Sequence, residues 1–106
     1  MTKNYYKDVT THETRIQEFD WMPQRYDCII GVWCLGYLNQ EDRENTMTGI
    51  TTALKDNGYV ILFEAVLKED DTADQRLHDI RKQQLMIRKE EFYTNFFKEH
   101  GFKIKF

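Results

Sequence analysis

Two apolar runs with no polar face, Tyr26–Trp33 and Tyr59–Phe63, flank a single capped helical segment. Asp27 is the one charged residue of the first run. A strand with one face in water alternates, whereas a continuous apolar run is buried on both faces, the habit of parallel sheets. Gly31 inside the run predicts close approach of another backbone or a ligand. Between the runs, Asn39 is a good N-cap, and Asp42 three residues later forms a weaker version of the capping box. Met47, Ile50 and Leu54 then recur at helical spacing. Asn57-Gly58 is expected to end that helix with a left-handed residue. Two parallel strands joined by a connection of this length make a right-handed βαβ unit.

The flanks are more polar. Residues 1–25 are threonine-rich and contain Pro23, the only proline; Ile16, Phe19 and Trp21 show no period, so a loop with a short turn is expected. Lys68–Asp74 reads as an acidic exposed loop. Leu77, Ile80, Leu85 and Ile87 suggest a moderately apolar helix. Phe92, Tyr93, Phe96 and Phe97 form an aromatic stripe, packing one face of a helix from about Lys89 to Glu99 that ends at His100-Gly101. Phe102–Phe106 alternates and predicts a half-exposed final strand, with Lys103 and Lys105 toward solvent. The chain thus divides into a loop-rich segment 1–25, a strand-helix-strand unit 26–65, and helices with a last strand over 66–106.

A length of 106 residues allows one small domain, and 41% apolar with 14% aromatic residues supports a packed core rather than disorder. The net charge of -3 offers no broad basic field for nucleic acid. No apolar run approaches the roughly 20 residues that cross a bilayer. The opening Met-Thr-Lys-Asn-Tyr-Tyr lacks the apolar centre of a secretion signal. A soluble cytoplasmic or nuclear protein, not secreted, is expected. Cys28 and Cys34 lie six apart without further ligands at zinc spacing, so they read as two buried free thiols, and no metal site is expected. His12, His78 and His100 are charge-flanked and read as surface residues.

This order of features resembles the C-terminal half of class I S-adenosylmethionine-dependent methyltransferases. Asp27 opening a buried strand, Trp33–Leu38, an amphipathic helix, Leu54-Lys55-Asp56-Asn57-Gly58 and a second strand ending at Glu64 look like strands four and five of that fold with their helix. Asp56 stands where the turn usually carries proline. Glu99-His100-Gly101-Phe102 resembles the approach to strand six. Within the superfamily the likeness is nearest to the alpha-N-terminal protein methyltransferases, which methylate the freed amino group of Xaa-Pro-Lys substrates. Tyr26-Asp27, Trp33, Gly36, Leu38, Leu54 and Asn57-Gly58 fall on that pattern, and the resemblance runs from about Ile16 to Phe106.

The resemblance implies a partial Rossmann-like α/β fold of about three mainly parallel strands with flanking helices. It also implies S-adenosylmethionine as cofactor and a protein or peptide N-terminus as substrate. Ile16-Gln17 followed by Phe19 resembles the loop over the cofactor's adenine, and Val32 and Trp33 fall at cofactor positions. Trp33, Tyr37 and Glu64 fall at substrate positions, with Glu64 the candidate catalytic group. Four positions depart from this family's pattern: Val32 replaces a glutamine, Tyr37 a histidine, and Glu64-Ala65 an Asp-Asn pair.

The glycines stand at 31, 36, 49, 58 and 101, and none forms the G-x-G turn that passes the backbone close to this cofactor. The chain alone is therefore expected to be inactive or weakly active. It would have an open strand edge suited to a homodimer or to a complementing N-terminal half. The alternative is a noncatalytic methyltransferase-like binding or scaffold module that pairs with another chain.

Overall fold

A computed structural model describes residues 9–80 and 83–105. Strand β1 spans Tyr26–Val32, helix α1 Gln40–Ala53 and strand β2 Leu54–Phe63. Strands β1 and β2 pair in parallel, with Ile29 opposite Val60, Ile30 opposite Ile61 and Val32 opposite Phe63. The chain is a mixed α/β domain with parallel strands and flanking helices. The burial on both faces that the apolar runs predict is not found: no residue of β1 is buried, and Ile30 and Val32 are exposed.

Helix α1 starts as its sequence dictates: the Asn39 side chain accepts the Asp42 N–H at 2.8 Å. Glu41 and Asp42 in the first turn complement the helix dipole. The buried stripe runs through Arg43, Thr46, Met47, Ile50 and Ala53. The helix does not continue to Asn57-Gly58. Leu54 is already extended and pairs with Tyr26, while Cys28 pairs with Tyr59, so Lys55–Gly58 bulges from the ladder and holds Asn57 at φ 66°. Backbone bonds from Gln24 to Thr52 and from Arg25 to Ala53 hold the incoming chain to the end of α1.

The predicted helix through Leu77, Ile80, Leu85 and Ile87 is instead a hairpin. Strands β4 (Gln75–Ile80) and β5 (Gln83–Lys89) pair antiparallel, with Leu77 opposite Met86 and His78 opposite Leu85; the joining residues 81–82 lie outside the described ones. Leu85 and Ile87 are two apart, the spacing of one face of a strand, and the antiparallel register with β4 decides the matter. A short strand β3 (Val66–Leu67) lies parallel to β5 on its other side, and Lys68–Asp74 is a loop, as expected.

The aromatic stripe forms helix α2, Glu90–Glu99, which Gly101 terminates at φ 88°. Tyr93, Phe96 and Phe97 join Leu35, Leu38 and Met47 in the core, with Val60 and Leu62 of the sheet packed against them. Phe102–Lys105 makes no strand, and Phe106 lies outside the described residues. Its alternation survives in packing alone: Phe102 and Ile104 rest on the core while Lys103 and Lys105 face solvent. Among the described residues the β1–β2 sheet therefore gains no third strand from this segment, and only one of its faces is covered.

Candidate functional site

In open α/β sheets ligands settle beyond the carboxyl ends of the strands. At that end of β1 the chain makes an abrupt turn. Trp33 has φ 49°, a conformation bulky residues rarely adopt, and its N–H donates to Phe63 O at 2.8 Å. The chain then closes into a 3-10 turn, Leu35–Tyr37, whose opening amide at Leu35 donates to Glu64 Oε1 at 2.7 Å. Glu64 therefore joins the end of β2 to the turn after β1. Burial pushes its carboxyl above the ordinary value, and the amides of Leu35, Gly36 and Cys34 and the charge of Arg88 pull it back.

Gly36 is required where it stands. A Cβ there would meet Leu85 Cδ1 at 2.5 Å and the Met86 carbonyl at 2.9 Å, so the hairpin packs directly on the turn. Gly31, by contrast, faces the side chains of Cys34 and Leu62 rather than another backbone or a ligand. Cys28 and Cys34 are free and half-buried rather than buried. Burial, reinforced by the charge of Glu64, pushes the Cys34 thiol up to about 11, so it is protonated at neutral pH and no nucleophile.

Beside the turn lies a cavity of about 460 Å³ lined by Arg15, Ile16, Gln17, Cys34, Tyr37, Leu38 and Gln84. Three residues singled out from the sequence, Ile16, Gln17 and Tyr37, thus meet in one space. Glu64 stands behind the same turn, bonded to its backbone. Trp33, half exposed, and Val32, which points to the uncovered side of the sheet, do not line this cavity. Arg15, Cys34, Leu38 and Gln84 are additions. Gln84 was illegible because its segment read as a helix, while Arg15 adjoins Ile16 and was open to inference.

A second cavity of about 420 Å³ lies toward the start of β1, lined by His12, Thr14, Phe19, Trp21, Tyr26 and Ile29 among others. Behind the turn, the Arg88 and Arg43 guanidinium groups sit 4.5 and 5.1 Å from the centre of the Phe92 ring. Among the described residues no cluster of His, Cys, Asp or Glu is arranged to hold a metal ion.

Residues 1–105 match the family of AdoMet dependent proline di-methyltransferases. The chain belongs to that family. Its membership carries S-adenosylmethionine as the family's methyl donor. No curated protein matches the chain. A planar base with a polar edge would need apolar and amide partners, and the cavity presents Ile16, Leu38, Gln17 and Gln84. The other end finds no glycine cradle, because the space beside Gly31 and Gly36 is filled by Cys34, Leu62, Leu85 and Met86.

Proposed function

We propose that this methyltransferase-family chain serves methyl transfer to an amino group, the N-terminus of a protein or peptide, and that alone it grips the donor weakly. When bound, S-adenosylmethionine supplies an electrophilic methyl group on its sulfonium. The observation that carries the reading is the meeting of Ile16, Gln17 and Tyr37 in one cavity beside the carboxyl end of β1. Ile16 and Leu38 would flank the base, with Tyr37 as the wall toward the acceptor. Glu64 is the group suited to receive an ammonium. Its Oε1 is engaged by Leu35, and the amides of Gly36 and Cys34 also face the carboxyl; to act as base it would take the ammonium proton and free the amine lone pair. A carboxyl pushed upward by burial is better matched to that task at neutral pH than an ordinary one.

Adenine contact alone contributes ~1–3 kcal/mol, the scale of one stacked base. Binding at that level is no tighter than about millimolar. Calorimetric titration with S-adenosylhomocysteine tests this directly: micromolar affinity would overturn the weak-grip reading. Transfer of a labelled methyl group to an Xaa-Pro-Lys peptide, abolished in Glu64→Gln, which keeps an acceptor for the Leu35 amide, tests the acceptor. A second reading is a noncatalytic module that pairs with another chain, such as one carrying a complementing N-terminal half. The uncovered apolar face of the β1–β2 sheet favours it.

A further inference from the structure

One face of the parallel pair packs on the core through Val60 and Leu62. The other carries Ile30 (60% exposed), Val32 (63%), Tyr59 (61%), Ile61 (39%) and Phe63 (56%). These residues are neighbours by register: Ile30 opposes Ile61, Val32 opposes Phe63, and Cys28 opposes Tyr59. They form one continuous surface without a charged residue. We propose that a second copy of this chain covers this face, giving a two-fold dimer in which the β1–β2 sheets stack.

The occupant follows from the character of the surface. A flat, uncharged apolar face is complementary to itself, which is what a two-fold interface requires. Aromatic side chains present 150–250 Å² each when buried, so five residues exposed to this degree offer roughly 500 Å², at the upper end of what a monomer leaves open. Two such faces in contact remove about 1,000 Å² from water, the lower bound for a specific interface. The assembly is therefore a weak dimer that dissociates on dilution. Stacked sheets sit ~10 Å apart with interdigitated side chains, a spacing that Ile, Val and Phe fill. The small net charge of -3 on each copy opposes association only feebly. The inference is independent of methyl transfer.

Sedimentation velocity on the full chain across a wide dilution series tests it. The expected result is a mass that doubles at high concentration for the wild type. V32K should lower the association constant at least ~10-fold, the cost of one buried unpaired charge, with an unchanged far-UV spectrum. L77K alters an exposed apolar residue on the other sheet and should leave the dimer intact. If V32K does not fold, the milder double variant Ile30→Thr, Val32→Thr, which keeps β-branched side chains in the strand, takes its place, with the same weakening expected. A wild type that stays monomeric throughout overturns the proposal and leaves the face to a different chain. A dimer unaffected by the face variants, or lost equally in L77K, overturns it too.

Discussion

Glu64 Oε1 accepts the Leu35 N–H at 2.7 Å, so a carboxylate from the end of one strand fixes the turn that leaves its neighbour. Leu35 is only 1% exposed, and no solvent replaces the carboxylate if it is removed. Glu64→Ala should therefore destabilise the fold by ~1–3 kcal/mol, the cost of an orphaned buried donor. Glu64→Gln retains an acceptor and should lose less. Urea denaturation of both variants separates the outcomes, and equal losses would refute the role of the bond.

His100 follows α2 and reaches across to α1. It is part-buried, contrary to its reading as a surface residue. Its Nδ1 lies 2.8 Å from the Phe96 carbonyl and its Nε2 lies 2.7 Å from Glu44 Oε2. Both neighbours only accept, so the ring satisfies both when doubly protonated. The Phe96 carbonyl foremost raises its pKa above the ordinary 6.5; burial opposes it, and the hydrogen bond and charge of Glu44, with the charge of Glu99, add to the rise. A raised value means the native state binds the proton more tightly. The stabilisation is complete below about 6.5 and is lost as pH rises through the folded value. Melting temperature measured from pH 6 upward should fall for the wild type. The decline should vanish in His100→Gln and shrink in Glu44→Gln.

Gly49 lies under the Trp21 indole, and a Cβ at that position would overlap the ring. Gly49→Ala should displace Trp21 and cost ~1–3 kcal/mol, the usual penalty of overpacking. Trp21 emission, read in a Trp33→Phe background, should shift to the red. An unshifted spectrum with unchanged stability would show that the loop yields freely.

Cys34 should resist alkylation at neutral pH, because its thiol is pushed up to about 11. Iodoacetamide labelling followed by peptide mass spectrometry should show slow modification in the native chain and rapid modification in urea. Equal rates in both would contradict a protonated, half-buried thiol.

The parts of the fold legible in sequence are those where local and tertiary preferences agree. Asn39 caps α1, the Phe92–Phe97 stripe packs α2, and the two apolar runs pair in parallel. Where only a long-range partner decides, the reading failed. Leu77 and Leu85 fit a helical repeat until hairpin pairing places His78 opposite Leu85. Phe102–Lys105 has the alternation of a strand, yet among the described residues no strand pairs with it and its apolar residues settle on the core. Asn57-Gly58 has the composition of a helix end, but Leu54 pairs with Tyr26 first and turns the same residues into a bulge. At the site, Ile16, Gln17 and Tyr37 were found through family likeness, whereas Gln84 depended on a hairpin that local pattern concealed.

That bulge has a practical consequence. Lys55–Gly58 protrudes at the amino ends of β1 and β2, whereas the cavity with Tyr37 lies beyond the carboxyl end of β1. About five residues of strand separate the two, or ~17 Å at the rise of a strand. Asp56 and Asn57 are exposed, so an affinity tag or fluorophore-bearing loop grafted between them would report on the molecule from its far pole.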